Sequence, residues 1–317
     1  MSVILSVKTA RVKALDFHPT QPLLIAALHN GTVQVWNHET KARVSEVQVS
    51  NAPLRAIKYI SRENWFIVGG DAKELKVSSE DGSREIKTIV EAHADYIRCI
   101  VVHPTEPLVL SASDDFKIKL WDWGNEWANT RVFDGHAHYV MQIAFNPRDP
   151  TVFASAGLDK VAKVWSLNSD AAKLSLEGHG KGVNAVSFAD NVSDSGKSLV
   201  LTGADDNTVK VWDAATGTCI KTLEGHSNNV TLVASHPVLP VIISGSEDGT
   251  IRFVNSVTYG LEAEVKENQD FKRVWAVASS VEQNLVAFGF DGGLLVTKLG
   301  RDDSFAGLND NQFGVSL

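Results

Sequence analysis

Four stretches of the chain set a histidine, a hydroxyl and an aspartate in the same order. His93, Ser111 and Asp115 form the first set, His136, Ser155 and Asp159 the second, and His179, Thr202 and Asp206 the third. His226, Ser244 and Asp248 make a fourth. Such groups are the parts of a nucleophilic triad, in which the imidazole takes the hydroxyl proton and the acid orients the imidazole. The recurrence argues against that chemistry, because an enzyme has no use for four parallel copies. Each set reads instead as buried polar groups that satisfy one another and pin a turn and a strand register. Trp121, Trp165 and Trp212 follow the aspartates of the first three sets at one spacing, and an indole N–H there would complete the network. Val254 stands at that place in the fourth. No G-x-S-x-G, P-loop, H-E-x-x-H or paired catalytic carboxylate pattern falls on a suitable element. The chain is therefore expected to be a non-enzyme with no metal and no cofactor.

The sets recur every 42 to 47 residues, and aligning on the Asp and Trp places gives seven units. Unit one runs from Arg11 to Asn37, with Asn30 and Trp36 at those places. Unit two, Pro53 to Ser79, is the most worn, with Ala72 and Ser78. Units three, four and five end at Trp121, Trp165 and Trp212, and unit six at Val254. Unit seven is Arg273 to Leu299, with Asp291 and Thr297. Each reads strand, turn, strand, tight turn, strand, as in YIRCIVV, HPTEP, LVLSAS, DDFK, IKLWDW. The pattern resembles the WD40 repeat, which implies an all-β fold, a seven-bladed β-propeller. The β-prone segment Ser2 to Thr9 is expected to close the ring as the outer strand of the last blade, removing an exposed edge. The propeller is expected over 1–300, with 301–317 a poorly ordered polar tail and 190–197 a surface loop.

Composition narrows the function. A net charge of −8 disfavours nucleic acid as a partner. Two cysteines, Cys99 and Cys219, give no disulfide framework and no metal spacing. No stretch reaches the ~18 apolar residues that a bilayer span needs, and the N-terminus lacks a signal-peptide pattern. The chain reads as cytoplasmic, with membrane contact peripheral only.

The rim where the inner strands begin carries uneven charge. Arg11, Lys13, His29 and Arg55, from units one and two, form a cationic group. Asp95, Tyr96 and Asp114 from unit three and Tyr139 from unit four stand beside it. Several cations around one point suit a carboxylate through charge-assisted hydrogen bonds. Two carboxylates and an aromatic face suit an ammonium. A free peptide C-terminus with a lysine close upstream carries both. The same residues could instead be solvated rim charges in blade-to-blade ion pairs, and Asp95 could pair with Arg98.

The segments EAHADYIRCIVVHPTEPLVLSASDDFKIKLWDW, HAHYVMQIAFNP, LEGHGKGVN, HPVLPVIISGSEDGTIR, TYGLE and KRVWAVAS resemble the β′-COP subunits of the COPI vesicle coat, with the α-COP subunits related. The likeness covers residues 8–300. It implies a module that recognises C-terminal dilysine signals (KKxx or KxKxx) of membrane cargo for Golgi-to-ER retrieval. It also implies other coatomer subunits, α-COP among them, as partners, and a place on Golgi membranes and COPI vesicles. Arg11, Lys13 and Arg55, with His29 adjacent, match the family's carboxylate-binding residues. Asp95 and Asp114, with Tyr139 nearby, match its lysine-binding ones. Unit two departs from the pattern. Family members continue into a second propeller and a helical solenoid, so the chain is expected to be a fragment. The alternative is a WD40 scaffold that binds partners without reading a C-terminal signal.

Overall fold

The computed structural model describes residues 1–189, 198–266, 272–280 and 283–300. The tail at 301–317 and the insertion at 190–197 lie outside the described residues. Among the described residues, 28 strands form seven four-stranded antiparallel sheets, and there is no α-helix. Six sheets use four consecutive strands. The seventh takes its outer strand from the other end of the chain, where Ser2–Lys8 pairs with Gly293–Lys298. The first strand of each sheet touches the first strands of both neighbours, so seven inner strands surround one channel. The molecule is the seven-bladed propeller that the repeat predicts.

Strand composition follows position in the blade. Second strands such as Leu23–Leu28 and Val241–Ser246 are covered by sheets on both faces, and their sequences, LLIAAL and VIISGS, are apolar or small throughout. Outer strands such as Ala42–Gln48 are mostly exposed and carry charges that discourage edge pairing. These fourth strands were absent from the three-strand sequence pattern. They are polar and sometimes very short, as at Leu174–Leu176. The core lies between adjacent sheets. Between blades three and four, Phe153 stacks on Trp165 with centroids 6.0 Å apart, and Phe133 meets Phe153 edge-on at 4.9 Å.

Blade seven needs one correction. Asp291 does not occupy the place of Asp115. Its backbone N–H donates to the Arg273 carbonyl as that of Asp114 donates to Tyr96. The tight turn is one residue shorter here, because the third strand begins at Gly293, two residues after Asp291, whereas Lys117 comes three after Asp114. Asp291 thus faces the rim, with Gly292 following it.

Candidate functional site

The recurring sets are closed networks. His93 Nδ1 donates to Asp115 Oδ2 across 2.8 Å, and Ser111 Oγ donates to His93 Nε2 across 2.7 Å. Trp121 Nε1 donates to the same hydroxyl at 2.8 Å. The chain repeats through His136, Ser155, Asp159 and Trp165 and through His179, Thr202, Asp206 and Trp212, each link between 2.7 and 2.9 Å. Each carboxylate also accepts the backbone N–H that follows its histidine. Ser111, Ser155 and Thr202 are wholly buried, so no substrate reaches these oxygens. Burial lowers the His93 and His179 pKa values, which keeps the rings neutral. Burial alone would raise the Asp115 carboxyl, but hydrogen bonds from His93 and backbone N–H groups bring it down to about 2.

The rim is built by one device used seven times. Each inner strand has a break in register at its second residue, a β-bulge. The seven bulge residues are Lys13, Arg55, Arg98, Met141, Asn184, Thr231 and Trp275, and all line the central cavity of about 390 Å³. A bulge re-aims a side chain without ending the strand. Beside each bulge a tight-turn residue donates its N–H to the carbonyl of the residue before the strand; these are His29, Asp71, Asp114, Leu158, Asp205, Glu247 and Asp291. The two rings meet as pairs. Arg98 Nε donates to Asp114 Oδ1 at 2.7 Å and Nη2 to Oδ2 at 2.5 Å. Arg55 makes the same fork with Asp71. Asn184 Nδ2 donates to Asp205 at 2.7 Å. Asp291 accepts from Arg273 and Trp275 and forms an ion pair with Arg11 at 2.6 Å, across the seam between blades seven and one.

Lys13 is the exception. It forms no ion pair among the described residues. Its Nζ lies 3.5 Å from the Trp275 ring centroid, a ring that Arg11 and Arg273 also approach. Burial and the positive charges of Arg55, Arg11 and Arg98 push its pKa down to about 7. Burial and the cations Arg11, Arg55 and Lys13 likewise lower His29. Two bases on blade one are thus both shifted down, by burial first and by the surrounding cations second. The acidic side is built differently. Asp114 is 4% exposed and holds Arg98, whereas the Asp95 side chain is 41% exposed, accepts the Tyr96 backbone N–H at 2.8 Å and has Lys73 as its nearest cation, at 4.0 Å. Arg98 therefore pairs with Asp114 and not with Asp95. Tyr96 stands under the Arg55 guanidinium and Tyr139 under that of Arg98. Phe116, 39% exposed, leans on Tyr139.

Sequence reasoning missed Asp71 and Trp275, treated Arg98 only as a possible partner of Asp95, and set Asp291 in the wrong place. A signal existed for the acids: Asp71, Asp114 and Asp291 each follow directly on the last residue of a second strand. Nothing in the local sequence marks the bulges.

The fold and its networks define a WD40-repeat propeller. The family model described as "WD domain, G-beta repeat" matches residues 3–37, 84–122, 127–166, 172–213 and 217–255, more than half the chain, and the chain belongs to that family. It is also 47% identical over 307 residues to coatomer subunit beta′ of Rattus norvegicus, covering 97% of this chain and 33% of that protein. It is 46% identical over 299 residues to the Drosophila melanogaster coatomer subunit beta′, 94% of this chain and 32% of the relative. The probable coatomer subunit beta′ of Schizosaccharomyces pombe is 43% identical over 296 residues, 93% and 36%. The chain thus spans about a third of the length of the curated relatives it matches.

Proposed function

We propose that this propeller is a COPI-coat module that reads C-terminal dilysine signals of membrane cargo, without enzymatic activity. One observation carries the reading: an unpaired Lys13 lies over Trp275 at the channel mouth, near Arg11, Arg55 and Arg98, its proton already loosened by burial and by their charge. A terminal carboxylate placed there would relieve that repulsion and gain charge-assisted hydrogen bonds. His29 would border the same anion. A lysine upstream would meet the exposed carboxylate of Asp95 and share Asp114 with Arg98, beside the faces of Tyr96 and Tyr139. Reversed docking would put like charges together, which supplies polarity. Kinship to coatomer beta′ subunits supports action as a peripheral coat component on Golgi membranes, in company with other coatomer subunits including α-COP.

Calorimetry with a KxKxx peptide tests this. The free acid should bind with modest, salt-sensitive affinity. The C-terminal amide, Arg55→Ala and Asp95→Ala should each lose most of it while the propeller keeps its melting temperature. Equal binding of acid and amide would leave only a scaffold that reads no free C-terminus.

A further inference from the structure

The edge between blades five and six holds a second pocket, and its shape comes from a missing tryptophan. In blades four and five the tryptophan of the network lies on the outer strand of the preceding blade. Its ring edge passes over a glycine: a Cβ built on Gly135 would stand 3.2 Å from the Trp165 ring, and one on Gly178 3.3 Å from that of Trp212. In blade six, Val254 replaces the tryptophan, pairing with Ile242 as Trp212 pairs with Val200. The equivalent glycine is Gly225, at φ +129°, and the Arg252 guanidinium has moved over it, 1.6 Å from where a Cβ would be. That guanidinium binds the Glu224 carbonyl and Glu264, while its Nε is buried without a hydrogen-bond partner. A cavity of about 240 Å³ remains, lined on the apolar side by Val209, Leu223 and Val254 and on the polar side by Glu224, Ser244 and Arg252, among others. Ser244 Oγ keeps its link to His226 Nε2 at 2.9 Å. It lacks the indole N–H that the hydroxyls of blades three, four and five each accept at 2.8 Å.

We propose that this pocket is a docking site for the tryptophan side chain of a partner protein. The mixed lining suits an amphipathic aromatic: Val209, Leu223 and Val254 give a ring an apolar wall, and polar groups lie within the same cavity for its N–H. Ser244 Oγ has a free acceptor position, which suits an indole N–H, a group that only donates. The Arg252 guanidinium offers a cationic plane to the ring face. The surroundings point to a partner protein rather than a free small molecule. Leu261, on the outer strand of blade six, lines the cavity and is 54% exposed; Ile220 and Val257, 47% and 61% exposed, lie one and two residues along the chain from the lining residues Lys221 and Tyr259. An exposed apolar residue at the edge of an aromatic socket is the form of an interface anchor.

The whole chain would be titrated with N-acetyl-tryptophanamide by saturation-transfer NMR, and with a blocked Leu-Trp-Leu tripeptide. Both should bind saturably, the tripeptide more tightly because it also covers the apolar rim. Val254→Trp should abolish both while melting no lower than the parent chain and leaving dilysine-peptide binding unchanged. Should the larger ring prevent folding, Val254→Leu fills part of the same space and should weaken both ligands. Binding that is unaffected by either substitution would overturn the proposal, as would equal affinity for N-acetyl-leucinamide. A tripeptide no tighter than the amide would overturn the partner assignment.

Discussion

At the scale of single residues, the molecule separates groups that hold it together from groups that strain it. His136 is of the first kind: it joins Asp159 to Ser155 inside the core. His136→Ala leaves a buried hydroxyl and a half-buried carboxylate without the imidazole that links them and should cost about 1–3 kcal/mol, read from the urea unfolding midpoint. Lys13 is of the second kind. Its ordinary pKa is 10.5, and in the folded chain it falls to about 7. Burying that charge opposes folding below pH 7, and the penalty fades as pH rises from there toward 10.5. Lys13→Met should therefore raise stability at pH 6 by about 1–2 kcal/mol, discounted because the channel mouth reaches solvent. A bound carboxylate favours charged Lys13, so dilysine-peptide affinity should fall as pH rises above 7. Titrations at about pH 6 and about pH 8.5 measure that fall, and in Lys13→Met it should vanish. The four networks were legible in the sequence because they repeat. Lys13 stood out only as one cation among several, since its lack of a partner depends on where Asp71, Asp114 and Asp291 turn.

At the scale of elements, closure rests on one strand. Ser2–Lys8 completes blade seven, and its Leu5, 5% exposed, packs into the seam between blades seven and one with Val12 and Val296. Leu5→Ala should destabilise by about 2–5 kcal/mol. Removing residues 1–8 should uncover the edge of Gly293–Lys298 and drive edge-to-edge association, visible as higher-order species in size-exclusion chromatography. The strand was legible from its β-branched run and its place before the first unit. The outer strands and the bulges were not. The first are too polar and short to show alternation, and a bulge is a one-residue slip that any side chain can occupy.

At the scale of the whole molecule, the networks set the response to acid. Burial holds the His93 and His179 pKa values below the ordinary 6.5, so each takes up a proton on unfolding once the pH drops below that value. Asp115, Asp159, Asp206 and Asp248 are all held below 3.8. Their contribution is present above about pH 4 and is lost as pH falls toward the folded values. Both effects have one sign. The urea midpoint should decline from pH 7 to pH 5 and drop further by pH 3, and an unchanged midpoint would show that the networks contribute little. Ring closure and blade count were legible from the period of the chain. The alignment erred only at Asp291, where one residue fewer in a turn moved an acid from the buried network to the rim.

The seven bulges give the channel mouth the character of a combination lock. The backbone of each tumbler is set by the slipped register and by one turn N–H, and the seven carry six kinds of side chain: Lys, Arg, Arg, Met, Asn, Thr, Trp. The code can therefore be rewritten while the casing keeps its shape, Lys13, Met141 and Thr231 singly and the paired positions together with the turn acids they hold. A change of ligand in this lineage would ask for new letters at the mouth and leave the four buried networks as they are.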